Sequence, residues 1–179
     1  MATPFVADDF LVPQRIEQAT YVLRPLTTAD VEKDYAAVMS SKESLRHIFR
    51  EHGAWPAEQM TVQENYHDLA RHQTEFEQRQ GFTYTMETPA GDECLGCVYI
   101  YPCQRGDYDA QVYYWVRDSV KAHGVEAALD AFLRHWLREQ WPFAHPVFPG
   151  RDVAWRDWEA LKPRPAERGE PSTGNLPQP

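Results

Sequence analysis

Residues 94–148 constrain the fold more than any other stretch, because strand, strand, loop, amphipathic helix and strand follow one another within a single run. Leu95-Gly96-Cys97-Val98-Tyr99-Ile100-Tyr101 and Ala110-Gln111-Val112-Tyr113-Tyr114-Trp115-Val116 are rich in aromatic and β-branched residues. Turn formers bound both, which is the composition of buried strands. A polar loop runs from Arg117 to Gly124, and a helix is predicted from Val125. Its face carries Val125, Ala128, Leu129, Phe132, Leu133, Trp136 and Leu137 at helical spacing. Val147-Phe148 then returns as a short strand. Strand, loop, helix, strand is a crossover unit, and the opening end of its helix is a natural point for an anion.

The rest of the chain supplies the partners this unit needs. Residues 1–19, with prolines at 4 and 13, are expected to form an irregular arm. Thr20 to Leu26 alternates as a strand, and Thr27-Thr28-Ala29-Asp30 offers a capping box for a helix reaching Met39. Residues 40–60 read as a loop or broken helix. Thr61-Val62-Gln63-Glu64 is a second capping box, opening a helix whose apolar face holds Val62, Tyr66, Leu69 and Phe76, with Gly81 as its left-handed cap. Phe82 to Glu87 alternates strictly and is expected to be half buried. Turns at Pro89-Ala90-Gly91-Asp92 and Gln104-Arg105-Gly106-Asp107 make the middle of the chain an antiparallel meander. From Lys162 to Pro179 prolines dominate and apolar residues are scarce, so this tail is expected to be disordered.

Length and charge exclude several classes of function. The 179 residues suit one domain, here 20–161, with a real core. A net charge of −9 argues against a grip on nucleic acid or an anionic membrane. No apolar run approaches the ~20 residues of a membrane span. Three cysteines without an export signal point to a cytoplasmic protein without disulfides.

The order of elements resembles that of the GCN5-related N-acetyltransferases (GNAT superfamily). Leu23-Arg24-Pro25-Leu26-Thr27-Thr28-Ala29-Asp30 is similar to that family's first strand and helix entry, and Trp55-Pro56 to the segment lining its acceptor side. The loop motif of the family has an arginine or glutamine, then alternating glycines, then a leucine in the helix. Lys121-Ala122-His123-Gly124-Val125-Glu126-Ala127-Ala128-Leu129 matches it at Lys121, Gly124 and Leu129 and departs at Ala122 and Glu126. The resemblance covers roughly 20–150. It implies an α+β fold of three layers, α/β/α, with a mixed, mostly antiparallel sheet and helices on both faces.

The same resemblance implies acetyl-coenzyme A as cofactor and an N-acetyltransferase acting on a small-molecule or protein amine. Trp115 or Val116 then offers the amide that polarises the thioester carbonyl, and Lys121, Ala122, His123, Gly124 and Val125 cradle the diphosphate. Glu126 sets a carboxylate at the same helix end, opposing phosphate by ~0.3–1 kcal/mol. Cofactor binding is therefore expected to be weakened. The alternative is a non-catalytic module of this fold that has lost the cofactor. The family's last helix and two strands have no counterpart after Val147-Phe148, and no tyrosine follows Tyr114 to serve as the acid. A homodimer is one way to cover the surface so exposed.

The candidate bases are Glu87 and Asp109, on or beside the meander. Cys94-x-x-Cys97 has the spacing of half a zinc knuckle or a thioredoxin-type pair. Residues three apart on a strand point to opposite faces, so these cysteines are expected to be small buried hydrophobes, and no metal site is expected. His67 and His72 are five apart rather than four, and both are expected on the solvated side of their helix.

Overall fold

The computed structural model describes residues 5–164. Six strands form one mixed sheet in the order β1-β2-β3-β4-β5-β6: Ile16–Glu17, Val22–Pro25, Phe82–Glu87, Cys94–Pro102, Ala110–Val116 and Pro146–Val147. β1 to β5 run antiparallel to their neighbours, and β6 alone is parallel to β5. The helices are α1 (Val31–Ser40), α2 (Lys42–Leu45), α3 (Val62–Glu77), α4 (Asp118–Lys121), α5 (Val125–Gln140) and α6 (Trp155–Ala160). Among the described residues no helix is long and apolar enough to cross a membrane.

The sheet is covered on both faces. On one, α5 lays Leu129, Leu133, Trp136 and Leu137 over Phe82, Tyr84, Val98, Ile100, Val112 and Tyr114. On the other, α1 and α3 lay Ala37, Val38 and Leu69 over Cys97, Tyr99, Tyr113 and Trp115. This is the three-layer α+β arrangement that the order of elements implied. Because both faces are covered, all six residues of β3 are buried, not the alternate ones that its pattern suggested.

Local chemistry starts the helices where the capping boxes place them. Thr61 Oγ1 accepts from the Glu64 amide at 3.1 Å while Glu64 reaches back to the Thr61 amide at 2.7 Å, so two otherwise unpaired donors are met reciprocally. Before α1, Asp30 accepts from the Thr27 amide at 3.0 Å in the same way, inside one turn of 3-10 helix.

Three details differ from the sequence reading. Arg79, at φ 58°, takes the left-handed conformation after α3, and Gly81 serves another purpose. A Cβ at Gly81 would lie 2.5 Å from the Tyr101 ring, so glycine there permits close packing. The N-terminal arm is part of the fold: Val6 is buried, Phe5, Phe10 and Val12 pack on the α5 side, and Ile16–Glu17 adds a strand beside β2. Of the proline-rich tail, 162–164 lie along the turn after β4, where Arg105 bridges to Pro163. Residues 165–179 fall outside the described residues.

Candidate functional site

The crossover unit builds an open edge. β6 pairs with β5 only at Ala110–Pro146 and Gln111–Val147, so residues 112–116 have no strand on that side among the described residues. Which amides face the opening follows from alternation along the strand. The Arg117 amide donates to Leu95 O at 2.7 Å, toward β4, whereas Tyr114 O accepts from Arg151 on the other side. Trp115 is therefore turned into the β4 ladder, and the amides of Tyr114 and Val116 face the open edge.

The strand leads into the loop and then into α5. Gly124 occupies the left-handed region at φ 71° and nothing lies within 4 Å of where its Cβ would be, so the space beside it is open. The first amides of α5, those of Val125, Glu126 and Ala127, have no acceptor within the helix and bear its positive end. The loop before it is less available. Part of it is the short α4, and the His123 and Gly124 amides donate back to Val120 O and Lys121 O at 3.1 and 3.2 Å. Ala122 is exposed beside them. Lys121 pairs with Asp118 at 2.6 Å, and Asp118 also accepts from Ser44.

Glu126, the carboxylate that opposes an anion here, has a partner that the sequence did not reveal. Arg151 reaches it from the turn after β6, with Nη2 3.0 Å from Glu126 Oε1. The same guanidinium lies 3.8 Å over the Tyr114 ring and contacts Tyr114 O at 3.4 Å. Gly150 shapes that turn: its φ is 78°, and a Cβ would fall 2.4 Å from the Trp155 ring. Tyr114 in turn donates to Asp130 at 2.7 Å, and Arg134 joins Asp130 to Asp152. Burial and that bond to a carboxylate push the Tyr114 phenol far above its ordinary value, so it keeps its proton.

The two expected bases are fully engaged. Glu87, at the end of β3, accepts from Arg24 Nε at 2.9 Å and Nη2 at 2.8 Å, and from Lys33 at 3.2 Å. Burial opposes its ionisation, but Arg24 and Lys33 outweigh burial and hold it below the usual carboxylate range. Asp109 precedes β5, at the opposite end from the α5 opening. Its oxygens accept from the Ala144 and His145 amides at 2.5 and 3.0 Å, which fastens the approach to β6. Neither carboxylate has an oxygen without a donor.

A second set of polar residues lies on the α1–α3 face, and periodicity misplaced it. The buried stripe of α3 is Asn65, Leu69 and His72, while Val62 and Tyr66 stand 42% and 41% exposed. His72 is thus in the interior, its Nδ1 2.9 Å from the Tyr101 hydroxyl, and burial lowers its pKa. His67 is exposed, as expected. A small pocket, with room for about one water, is lined here by Asp34, Trp55, Asp68, His72 and Tyr99, among others. Asp34 is wholly buried, and burial pushes its pKa up to about 6. Of this group the sequence points to a role only for the Trp55-Pro56 segment, and it places His72 on the solvated side; the signal for the buried stripe is the i, i+4, i+7 spacing of Asn65, Leu69 and His72.

Comparison with known proteins agrees with this geometry. A family profile described as acetyltransferase (GNAT) domain matches residues 21–158. No curated protein matches the sequence. Among solved structures, RimL, a ribosomal L7/L12 alpha-N-protein acetyltransferase in complex with coenzyme A, is 18% identical, with 70% of this chain and 68% of that one covered at a TM-score of 0.56. The ribosomal-protein-S5-alanine acetyltransferase from Vibrio fischeri is 13% identical, with coverage of 70% and 67% and a TM-score of 0.56. The microcin C7 self-immunity acetyltransferase MccE, solved with acetyl-CoA and AMP, is 14% identical, with coverage of 72% and 69% and a TM-score of 0.54.

Proposed function

The chain belongs to the GNAT acetyltransferase family, and from that premise we propose that it is an N-acyltransferase taking its acyl group from acetyl-coenzyme A. The acceptor is an amine of a protein or of a small molecule, the two kinds that the names of RimL and the S5-alanine enzyme on one side, and the AMP-bound MccE complex on the other, bring to mind. One observation carries the reading: the open edge of β5 leads, through one short loop, to the α5 N-terminus at Gly124, where the space beside the glycine is open. That edge offers main-chain donors along a line and ends at a positive helix terminus.

The residues present fit a diphosphate carrier there. The amides of Val125, Glu126 and Ala127 would hold phosphate oxygens, and Gly124 leaves room for them. Arg151 offsets the charge of Glu126 beside the same opening. The Val116 amide, facing the open edge, is the donor placed to polarise a carbonyl, a role typically worth 10²–10³ in rate. The cofactor itself would supply the acyl group as an activated thioester. Glu87 and Asp109 hold structure rather than protons in this account, since every carboxylate oxygen is already bonded.

The competing reading is a binding module without catalysis. It is favoured by Arg151 lying across Tyr114 O and by the inward-turned His123 and Gly124 amides. A melting-temperature titration with acetyl-coenzyme A separates the two. The transferase reading expects saturable stabilisation, tightened about two- to fivefold by Glu126→Gln and weakened by Lys121→Glu. No response at millimolar cofactor leaves the module. Release of free thiol in the presence of candidate amines then identifies the acceptor.

A further inference from the structure

The cysteines of β4 do not lie on opposite faces. Between β3 and β4 the register moves from Met86–Gly96 to Glu87–Cys94, so Leu95 is an extra residue with no partner on β3. This is a β-bulge, and it shifts the alternation by one. Leu95 turns to the α5 side, while Cys94 and Cys97 both turn to the α1 side. The reason for expecting no metal site therefore does not hold.

Asp34 of α1 completes the group. One ligand atom from each of Asp34, Cys94 and Cys97 lies within 4.8 Å of the others, and all three residues are buried. The carboxylate is already oriented. Asn65 donates to Asp34 Oδ2 at 2.9 Å, which leaves Oδ1 toward the Cys97 thiol at 3.4 Å. Thr85 donates to Cys94 Sγ at 3.7 Å from the neighbouring strand. Neither partner of Asp34 is cationic, and the acidic Asp30 and Asp68 act on it unfavourably. A buried carboxylate beside two thiols, held by an outer amide, is the donor set that a soft divalent cation seeks.

We propose that Asp34, Cys94 and Cys97 bind a thiophilic divalent cation, Zn2+ above all, tying α1 to the bulged end of β4. The two thiols lose their protons to solvent as they bind, and Asp34 contributes its carboxylate. Three protein ligands leave a fourth position for water, and Asp34 also lines the small pocket shared with Trp55 and Asp68. The cation offsets the buried negative charge and adds its binding free energy to the fold.

The test uses the full chain, reduced, free of any affinity tag and stripped of metal by a chelator. Co2+ chloride is titrated under anaerobic conditions and followed by absorption, and Zn2+ chloride is then used to displace it. The expected result is one equivalent bound, a thiolate-to-cobalt charge-transfer band, release of about two protons per cation near neutral pH, and a higher melting temperature with Zn2+. Cys94→Ser and Cys97→Ser abolish the band, while Cys103→Ser leaves it intact. Absence of the band in the reduced wild-type chain overturns the proposal, as does a band that survives in Cys97→Ser. Should a serine variant fail to fold by circular dichroism, proton release from the wild-type chain decides alone, and its absence counts against the site.

Discussion

The two faces of this sheet are filled by different rules. The α5 side is the dry one: Leu23, Phe82, Tyr84, Ile100, Leu129, Leu133 and Trp136 are at most 1% exposed and pack mainly through apolar atoms. The Tyr84 hydroxyl donates to Pro13 O at 2.8 Å, and the Trp136 indole N–H is buried without a partner among the described residues. The α1–α3 side buries Asp34, Asn65, His72, Thr83, Thr85 and Glu87 among its apolar residues. Each of these six polar side chains has a partner, from Asn65 on Asp34 to Arg24 on Glu87. The apolar face fixes α5 against the sheet. The polar face carries ion pairs, thiols and a pocket, which are costly to bury and would not survive without a use or a compensating bond.

The comparison is broken most easily on the dry face. Trp136→Ala removes a large side chain packed on Tyr84, Phe132 and Trp141, and should cost about 3–5 kcal/mol in urea unfolding. A loss well under that range would mean that α5 is not the main buttress.

On the polar face the next effect depends on pH. The folded pKa of Asp34 is raised to about 6 from 3.8, so the folded chain binds its proton more tightly than the unfolded chain. Its contribution is a penalty that is absent below about pH 4, grows as pH rises and is complete above about pH 6. At 1.36 kcal/mol per unit, the full penalty is on the order of 3 kcal/mol. Asp34→Asn keeps an oxygen for Asn65 and removes the charge. In metal-free protein the stability of the variant relative to wild type should therefore climb between pH 4 and 6.5 and then level off. A flat difference would show that Asp34 is solvated.

Glu87→Gln sharpens the contrast between structure and chemistry. It removes charge from the Arg24–Glu87–Lys33 cluster, where Arg24 keeps its bidentate contact with Asp30 at 2.9 and 2.6 Å. Stability should fall by about 1.5–3 kcal/mol, the range for hydrogen bonds to charged groups, while the midpoint of acetyl-coenzyme A binding stays in place. A large loss of turnover in a well-folded variant would restore Glu87 as the base. The smallest effect belongs to the outer side of α3. Val62→Ser and Tyr66→Ser should each change stability by no more than about 0.5 kcal/mol, against a clear loss for Leu69→Ala.

That last pair shows what was legible in the sequence and why. Strand composition, capping boxes and the α5 stripe placed the meander, the helix starts and the crossover, because there local propensity and burial agree. The rotation of α3 was misread because hydrophobic periodicity assumes that the buried stripe is apolar, and Asn65 and His72 are buried with partners from other elements. The shared face of Cys94 and Cys97 was hidden by a single inserted residue, Leu95, which no pattern within β4 announces. At the candidate site, the resemblance pointed to Gly124 and to Trp115 or Val116, and alternation along β5 turns the amide of Val116, not that of Trp115, to the open edge. Arg151, 25 positions after Glu126, was not legible, since nothing in either segment signals the pairing.

Amide hydrogen exchange of the full chain with and without saturating acetyl-coenzyme A tests the central claim most directly. The account predicts new protection at Val116 and at Val125, Glu126 and Ala127, with the dry face between α5 and the sheet unchanged. Binding that leaves those four amides exchanging as before, or protection confined to the α1–α3 pocket, would contradict it.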